Sequence, residues 1–486
     1  MCAYVKGLSV RSGPLRAGVL SRVCQGHGVI TGCGSGHRPV SLGRPGLGLR
    51  IMGCVRPVLR LPEVPDVPDL SLFPPSAAIA GDDLQVGGCS LREIAERFGT
   101  PAYVIDEQAL RARARDYQAA FTRRHPRSRL CFAVKAYPSA SMISLLAQEG
   151  LGFDVVGGGE LRLALAAGVD PATIVMHGNA KTDDDIQAAL GARIGHIVVD
   201  GFDDIDRIEK FAREPAPVLL RVSPGIDSAT HAAMATGGAT SKFGVPIGQV
   251  PQAIARMREV AAIDLQGLHA HIGSQILVLE QFEAEVAALA GLERFGVYDV
   301  GGGLGVRYVP EDVAPGVDDY AARLVAAVHR HLGSDIDLIV EPGRSLVAPA
   351  GITVYRVVTV KQAGRRHVAV DGGMGDNLEH SLYGQRFAPM VVGRWSEETV
   401  VADLVGRHCE SGDIITPDVT LTTPHVGDLV AVPVTGAYCF TMANNYNAAL
   451  RPPVIFCGDG TARLAVRRET YADLTAREIG FAGGAD

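Results

Sequence analysis

Four short stretches set reactive groups at the ends of apolar runs. LCFAVKA (130–136) carries Lys135 as its only charge, and EPGR (341–344) places the Glu341 carboxylate, a glycine amide and the Arg344 guanidinium just after LIV. HAHIG (269–273) puts His269 and His271 on one face of an extended segment, because strand side chains alternate. DVGGGLG (299–305) offers the successive amides of Gly301, Gly302 and Gly303 with no side chains in the way, a nest suited to phosphate. Each has a plainer reading: a strand-end lysine reaching solvent, a hydrogen-bonded core histidine, a tight turn. Two histidines two residues apart could suggest a metal, but no matching Asp/Glu/Cys cluster accompanies them, so no metal is expected.

Taken together the four are more specific. A lysine for a Schiff base, an imidazole for stacking, a carboxylate for a ring nitrogen and a glycine nest for phosphate jointly specify pyridoxal 5'-phosphate. They must then meet in one place, which is a demand on the fold. The β-like runs between residues 100 and 345 are LCFAVKA, GFDVV, TIVMHGN, HIVVD, VLLRVSP, LQGLHAHIG, VYDVGGG and LIVEPG. Most are separated by amphipathic segments such as SASMISLLAQEG and DDDIQAALGA. Apolar runs joined by helices imply a parallel sheet buried on both faces, and eight of them imply a TIM-like (β/α)8 barrel. Lys135, Asp154, His177, Asn179, Arg221, His271, the glycines and Glu341 all fall at or near C-terminal strand ends, the rim where such barrels build sites.

After Leu346 the texture changes to β-branched runs bounded by Gly, Pro and Asp: GITVYRVVTVKQ, RHVAVDGG, DVTLTTP, DLVAVPVTG, PPVIFCGDG and TARLAVRRE. These imply a C-terminal, mostly antiparallel β domain. The expected organisation is a basic extension over 1–70, a lead-in over 71–106 whose TPAYVID strand joins the β domain, the barrel over 107–345, the β domain over 346–475 and a tail over 476–486.

Bulk properties narrow the class. The 486 residues are 47% hydrophobic and 20% charged, with a net charge of −7 and no apolar run long enough to span a bilayer. No basic field invites nucleic acid, and no membrane association is expected. Nine cysteines without a CxxC pair suit a reducing cytoplasm. The first fifty residues hold seven Lys/Arg and no Asp or Glu among many Gly, Pro and Ser. They lack the apolar core of a secretory signal. An unstructured extension, with Met52 as an alternative start, is expected.

The motifs FAVKAY, FDVVGGGEL, HGNAK, HIVVD, SKFG, HIGSQI, DVGGGLG, EPGR, VDGGM, CESGD and TGAY stand in one order between Leu91 and Thr470. In this the chain resembles the fold-type III pyridoxal-phosphate decarboxylases, the group acting on diaminopimelate, ornithine and arginine. The resemblance implies that Lys135 carries the cofactor and that His271 stacks on its ring. It implies that Glu341 keeps the ring nitrogen protonated. Ser274 and Gly301–Gly303, with Gly343 and Arg344, would hold the phosphate region and substrate, and Tyr438 would contact both. Cys409 and Glu410, in CESGD, would come from the second chain of a homodimer with shared sites. Cys409 would return a proton to Cα after CO2 leaves, as a thiol can near neutrality.

One stretch departs from the family. DNLEHSLYG (376–384) keeps Tyr383 as a substrate contact but has Glu379 where the family has an arginine that clamps a far carboxylate. Arg344 would then work alone, or Arg386 would take over, or the substrate would differ. The motif set favours diaminopimelate decarboxylated to lysine. Glu379 favours a basic amino acid such as lysine or ornithine, and a non-catalytic cofactor carrier on the same barrel is a third reading.

Overall fold

The computed structural model describes residues 68–226, 236–238 and 241–480. The extension expected over 1–70 lies almost wholly outside the described residues, as does the end of the 476–486 tail.

Eight parallel strands follow one another around a closed sheet: Ser128–Ala133, Gly152–Val156, Ile174–His177, His196–Val199, Ala216–Ser223, Ile263–His269, Val297–Asp299 and Asp337–Val340. The last returns to the first in parallel register, Leu338 opposite Ser128 and Val340 opposite Leu130. Helices cover the outside. One of them, Asp183–Ala192, starts at a capping box between Thr182 and Asp185, and its three first-turn aspartates complement the helix dipole.

Alternation along the strands decides what lines the lumen. Cys131, Val175, Val198, Leu219 and Ile339 pack as a buried apolar layer. Two residues further along, at or just past the ends of the same strands, come Ala133, His177, Asp200, Arg221 and Glu341. The wall thus changes from hydrocarbon to mostly ionisable groups within about 7 Å of strand rise. Residues of opposite parity, such as Leu130, Phe132, Phe153, Met176, Ile197 and Leu220, belong to the larger core between sheet and helices.

Lys135 does not extend the first strand as expected. That strand ends at Ala133, and Val134–Ala136 form a single 3-10 turn closed by the Tyr137 amide donating to the Val134 carbonyl. The adjoining chain supplies the reason. The Ala133 amide still donates to the Pro342 carbonyl, but beyond it the facing segment turns at Gly343 into the helix Arg344–Val347, so the ladder cannot continue.

The second sheet runs in the order Ile414–Thr422, Thr399–Val405, Arg365–Val370, Gly351–Ala363, Ala102–Asp106, Val454–Gly458, Thr461–Val466. Leu429–Pro433 pairs antiparallel with the buried half of Gly351–Ala363. Two pairings in this sheet are parallel, Arg365–Val370 with Thr399–Val405 and Ala102–Asp106 with Val454–Gly458. Thr399–Val405 (TVVADLV) was not anticipated. Its Asp403 reads as a breaker, yet it is buried and accepts from the Asp418 amide at 2.9 Å. The β domain docks on the turn that carries Lys135. Tyr438 donates its amide to the Ala136 carbonyl at 2.9 Å, and the Tyr137 and Phe440 rings stack 4.6 Å apart.

Candidate active site

The C-terminal ends of the barrel strands and the segment around Tyr438 enclose a cavity of about 500 Å3, within the range of small-molecule sites. Lys135 projects into it with 40% of its side chain accessible, and its Nζ lies 3.1 Å from Oδ2 of buried Asp154 on the next strand. Burial works against the ammonium. Asp154, Tyr438 and Glu341 outweigh it and hold Lys135 above the ordinary lysine range. Burial likewise opposes the charge on Asp154, but Lys135 and His177 hold that carboxyl below its ordinary value.

Behind the lysine is a buried charge network. His177 Nε2 is 2.6 Å from Glu341 Oε1 and 3.7 Å from Asp154 Oδ1. Burial lowers this imidazole, and the two carboxylates more than reverse the effect, so His177 sits above its usual range and donates. His269 Nε2 lies 3.6 Å from the other oxygen of Glu341. Burial keeps His269 neutral, and neither of its ring nitrogens has a hydrogen-bond partner among the described residues. Asp299 accepts from the Gly301 amide at 2.9 Å, and burial beside Glu341 pushes it up to about 7. Donor atoms of His177, His269, Asp299 and Glu341 lie within 4.8 Å of one another, a set that could also surround a cation. The His177–Glu341 bond already engages two of the four.

His271 is fixed by its surroundings. Its Nδ1 accepts from the Gly302 amide at 3.3 Å, and burial, with Lys135 and Arg221 nearby, holds the ring neutral. The glycines after the seventh strand are required by space. A Cβ at Gly302 would overlap the Glu341 carbonyl, and one at Gly303 (φ +111°) would overlap the Gly273 carbonyl. On the far wall, Arg344 Nε donates to the Ser274 hydroxyl at 3.3 Å, and Nη1 bonds the Tyr308 hydroxyl and Glu379 Oε2, the latter at 3.2 Å. Burial opposes its charge, but Tyr308 and Glu379 push its pKa up. Tyr438 lies over Arg344, with its ring centroid 4.5 Å from Cζ and φ at +63°, a conformation costly for a tyrosine and held by the Ala136 hydrogen bond.

An accessible lysine, a carboxylate facing it, a neutral imidazole and a side-chain-free amide loop on one cavity fit a phosphorylated aldehyde cofactor with a ring nitrogen. Residues 107–348 match the family model described as pyridoxal-dependent decarboxylase, pyridoxal binding domain. The chain is 42% identical over 424 residues to a diaminopimelate decarboxylase of Actinosynnema pretiosum subsp. auranticum, covering 85% of this chain and 96% of that protein. This chain belongs to the pyridoxal-dependent decarboxylases. A second relative, the diaminopimelate decarboxylase of Bacillus subtilis (strain 168), is 39% identical over 427 residues, covering 82% of this decarboxylase and 96% of its own length. The crystal structure of diaminopimelate decarboxylase from M. jannaschii in co-complex with L-lysine superposes with a TM-score of 0.79 at 32% identity, covering 84% and 98% of the two chains. The cofactor of this decarboxylase is pyridoxal 5'-phosphate.

Of the residues expected at the site, Lys135, His271, Ser274, Gly302, Gly303, Glu341, Gly343, Arg344, Tyr383 and Tyr438 line the cavity. Gly301 does not; its amide turns inward to Asp299. Cys409 and Glu410 are exposed and stand outside the lining, with the Cys409 amide bonded to Asn447 Oδ1 at 2.8 Å. Arg386 is also exposed and outside it. The sequence reading missed Asp299 and Tyr308 as site groups. Their signal was their position, directly before VGGG and four residues after the nest loop's Leu304.

Proposed function

We propose that this decarboxylase converts meso-2,6-diaminopimelate to L-lysine and CO2. The observation that carries the reading is Lys135, accessible in the cavity with Glu341 facing the same space, in a chain whose curated relatives align along 96% of their length. When bound, pyridoxal phosphate supplies the electron sink for the bond broken at Cα. The residues of the chain do the rest. Lys135 would anchor the cofactor, the Gly302–Gly303 loop and Ser274 would receive its phosphate, and His271 would lie against its ring. Glu341, braced by His177, keeps a proton on the ring nitrogen, and Tyr438 and Tyr383 border the substrate. Cleavage of the Cα–carboxylate bond leaves its electron pair on Cα, and a proton must replace the CO2 lost. Cys409 supplies it, with Glu410 beside it, from a second copy of the chain in a homodimer. The barrel over 107–345 and the β domain over 346–475 are the two working units, and the cytoplasm is the compartment.

One contact favours a second reading. The Arg344–Glu379 ion pair suits a basic amino acid without a far carboxylate, such as lysine or ornithine. The test is CO2 release by cofactor-loaded protein from meso-diaminopimelate, lysine, ornithine and arginine. Diaminopimelate is expected to be consumed. Cofactor absorbance with no CO2 from any of the four would leave a carrier, not an enzyme.

A further inference from the structure

Among the described residues, Arg344 is one of four lysine or arginine cations on the cavity wall, with Lys135, Arg221 and Lys242, and it is already paired within the chain. Its partner Glu379 stands behind it. Glu379 is 1% exposed, lies outside the cavity lining, and holds Oε2 3.2 Å from Arg344 Nη1. The other oxygen of Glu379 has no hydrogen-bond partner among the described residues. Both partners are buried, so solvent does little to screen the interaction. A carboxylate at that distance offsets much of the charge that Arg344 presents to a second anion.

We propose that Glu379 sets the specificity of this decarboxylase through Arg344: it weakens the hold on a far carboxylate and admits basic amino acids whose tails end in an ammonium alone. The inference rests on the decarboxylase reading above and deepens it. A lone guanidinium would attract the far carboxylate of diaminopimelate and repel the ammonium of lysine. The neutralised pair does neither strongly. Glu379 is a positioning residue, since it acts on the substrate only through its neighbour.

Diaminopimelate and lysine differ at the far end by one carboxylate, and so do their products, L-lysine and cadaverine. The test compares wild-type holoenzyme with Glu379→Gln and Glu379→Asp. The wild type is expected to use lysine with a kcat/KM within about a hundredfold of that for diaminopimelate. Glu379→Gln is expected to raise the diaminopimelate-to-lysine ratio by about tenfold or more, and Glu379→Asp to keep the wild-type ratio. Calorimetric Kd values for L-lysine and cadaverine report the same preference without turnover, and their ratio is expected to shift about tenfold towards L-lysine in Glu379→Gln. A folded Glu379→Gln with both ratios unmoved overturns the proposal, even if both substrates react. If that variant does not fold, the wild type decides: no lysine turnover, together with L-lysine bound more than about a thousandfold tighter than cadaverine, overturns it. Failure to decarboxylate any amino acid would count against the enzyme reading instead, and the calorimetric ratio would still judge Glu379.

Discussion

Lys135 Nζ lies 3.1 Å from Asp154 Oδ2, so the amine offered to the cavity is held as a cation by a fully buried carboxylate. An amine attacks an aldehyde only when neutral, and the pair therefore sets the pH at which cofactor is captured. In Asp154→Asn the largest attraction is gone while burial remains, and burial lowers a lysine pKa. The pH midpoint for capture of pyridoxal phosphate by cofactor-free protein, followed by absorbance, should fall by at least about one unit. An unmoved midpoint would show that the contact has no electrostatic weight.

His177 and Glu341 form the second pair, at 2.6 Å. Glutamine at 341 keeps the shape and removes the charge that the proposed role requires. Glu341→Gln is expected to lower kcat for CO2 release on the order of 10²- to 10⁴-fold while the visible absorbance of bound cofactor persists. Loss of both signals together would place Glu341 in cofactor retention and not in the chemistry.

Glu285, on the helix Glu280–Ala290, is fully buried, and neither carboxyl oxygen has a hydrogen-bond partner among the described residues. Burial, then the neighbouring Asp299, pushes its pKa well above the ordinary value. A carboxyl raised on folding binds its proton more tightly in the native state, so its contribution to stability declines as pH rises past the unfolded value of about 4.3. Glu285→Met should therefore stabilise the fold by about 1–3 kcal/mol near pH 8 and by less near pH 5, in denaturant titrations at the two pH values. An equal gain at both would mean that Glu285 does not carry a shifted proton.

Cys409 and Glu410 are exposed in the single chain, away from the cavity that holds Lys135. If sites are shared in a homodimer, Lys135→Ala and Cys409→Ala chains should each be nearly inactive alone. Co-expressed, they should recover roughly a quarter of wild-type CO2 release, because half of the randomly mixed dimers carry one intact site of two. No recovery, with mixed dimers verified by mass, would put Cys409 and Lys135 to work within one chain or in no common site.

The barrel was legible because strands buried on both faces leave dense apolar runs, and all eight such runs became its strands. The β domain was less so. Thr399–Val405 was hidden by Asp403, whose burial depends on partners far away in sequence. The site followed the same rule. Lys135, Glu341 and His271 stood out as polar groups interrupting apolar runs, whereas Tyr308 looked like any loop tyrosine until Arg344 was seen against it. The Glu379 departure was visible as a residue type; that its carboxylate lies behind Arg344 and not in the cavity is set by tertiary packing between segments 35 residues apart.

Ala102–Asp106 precedes the barrel in sequence yet pairs with Gly351–Ala363 and Val454–Gly458, which follow it. During synthesis this early strand must wait, unpaired, until the ribosome has delivered the whole barrel and Gly351–Ala363 behind it, and its second edge stays open until Val454–Gly458 follows. The barrel can close first, but Tyr438 arrives late. A chain released after the barrel but before Tyr438 would therefore hold Lys135 and Glu341 around a pocket missing one wall.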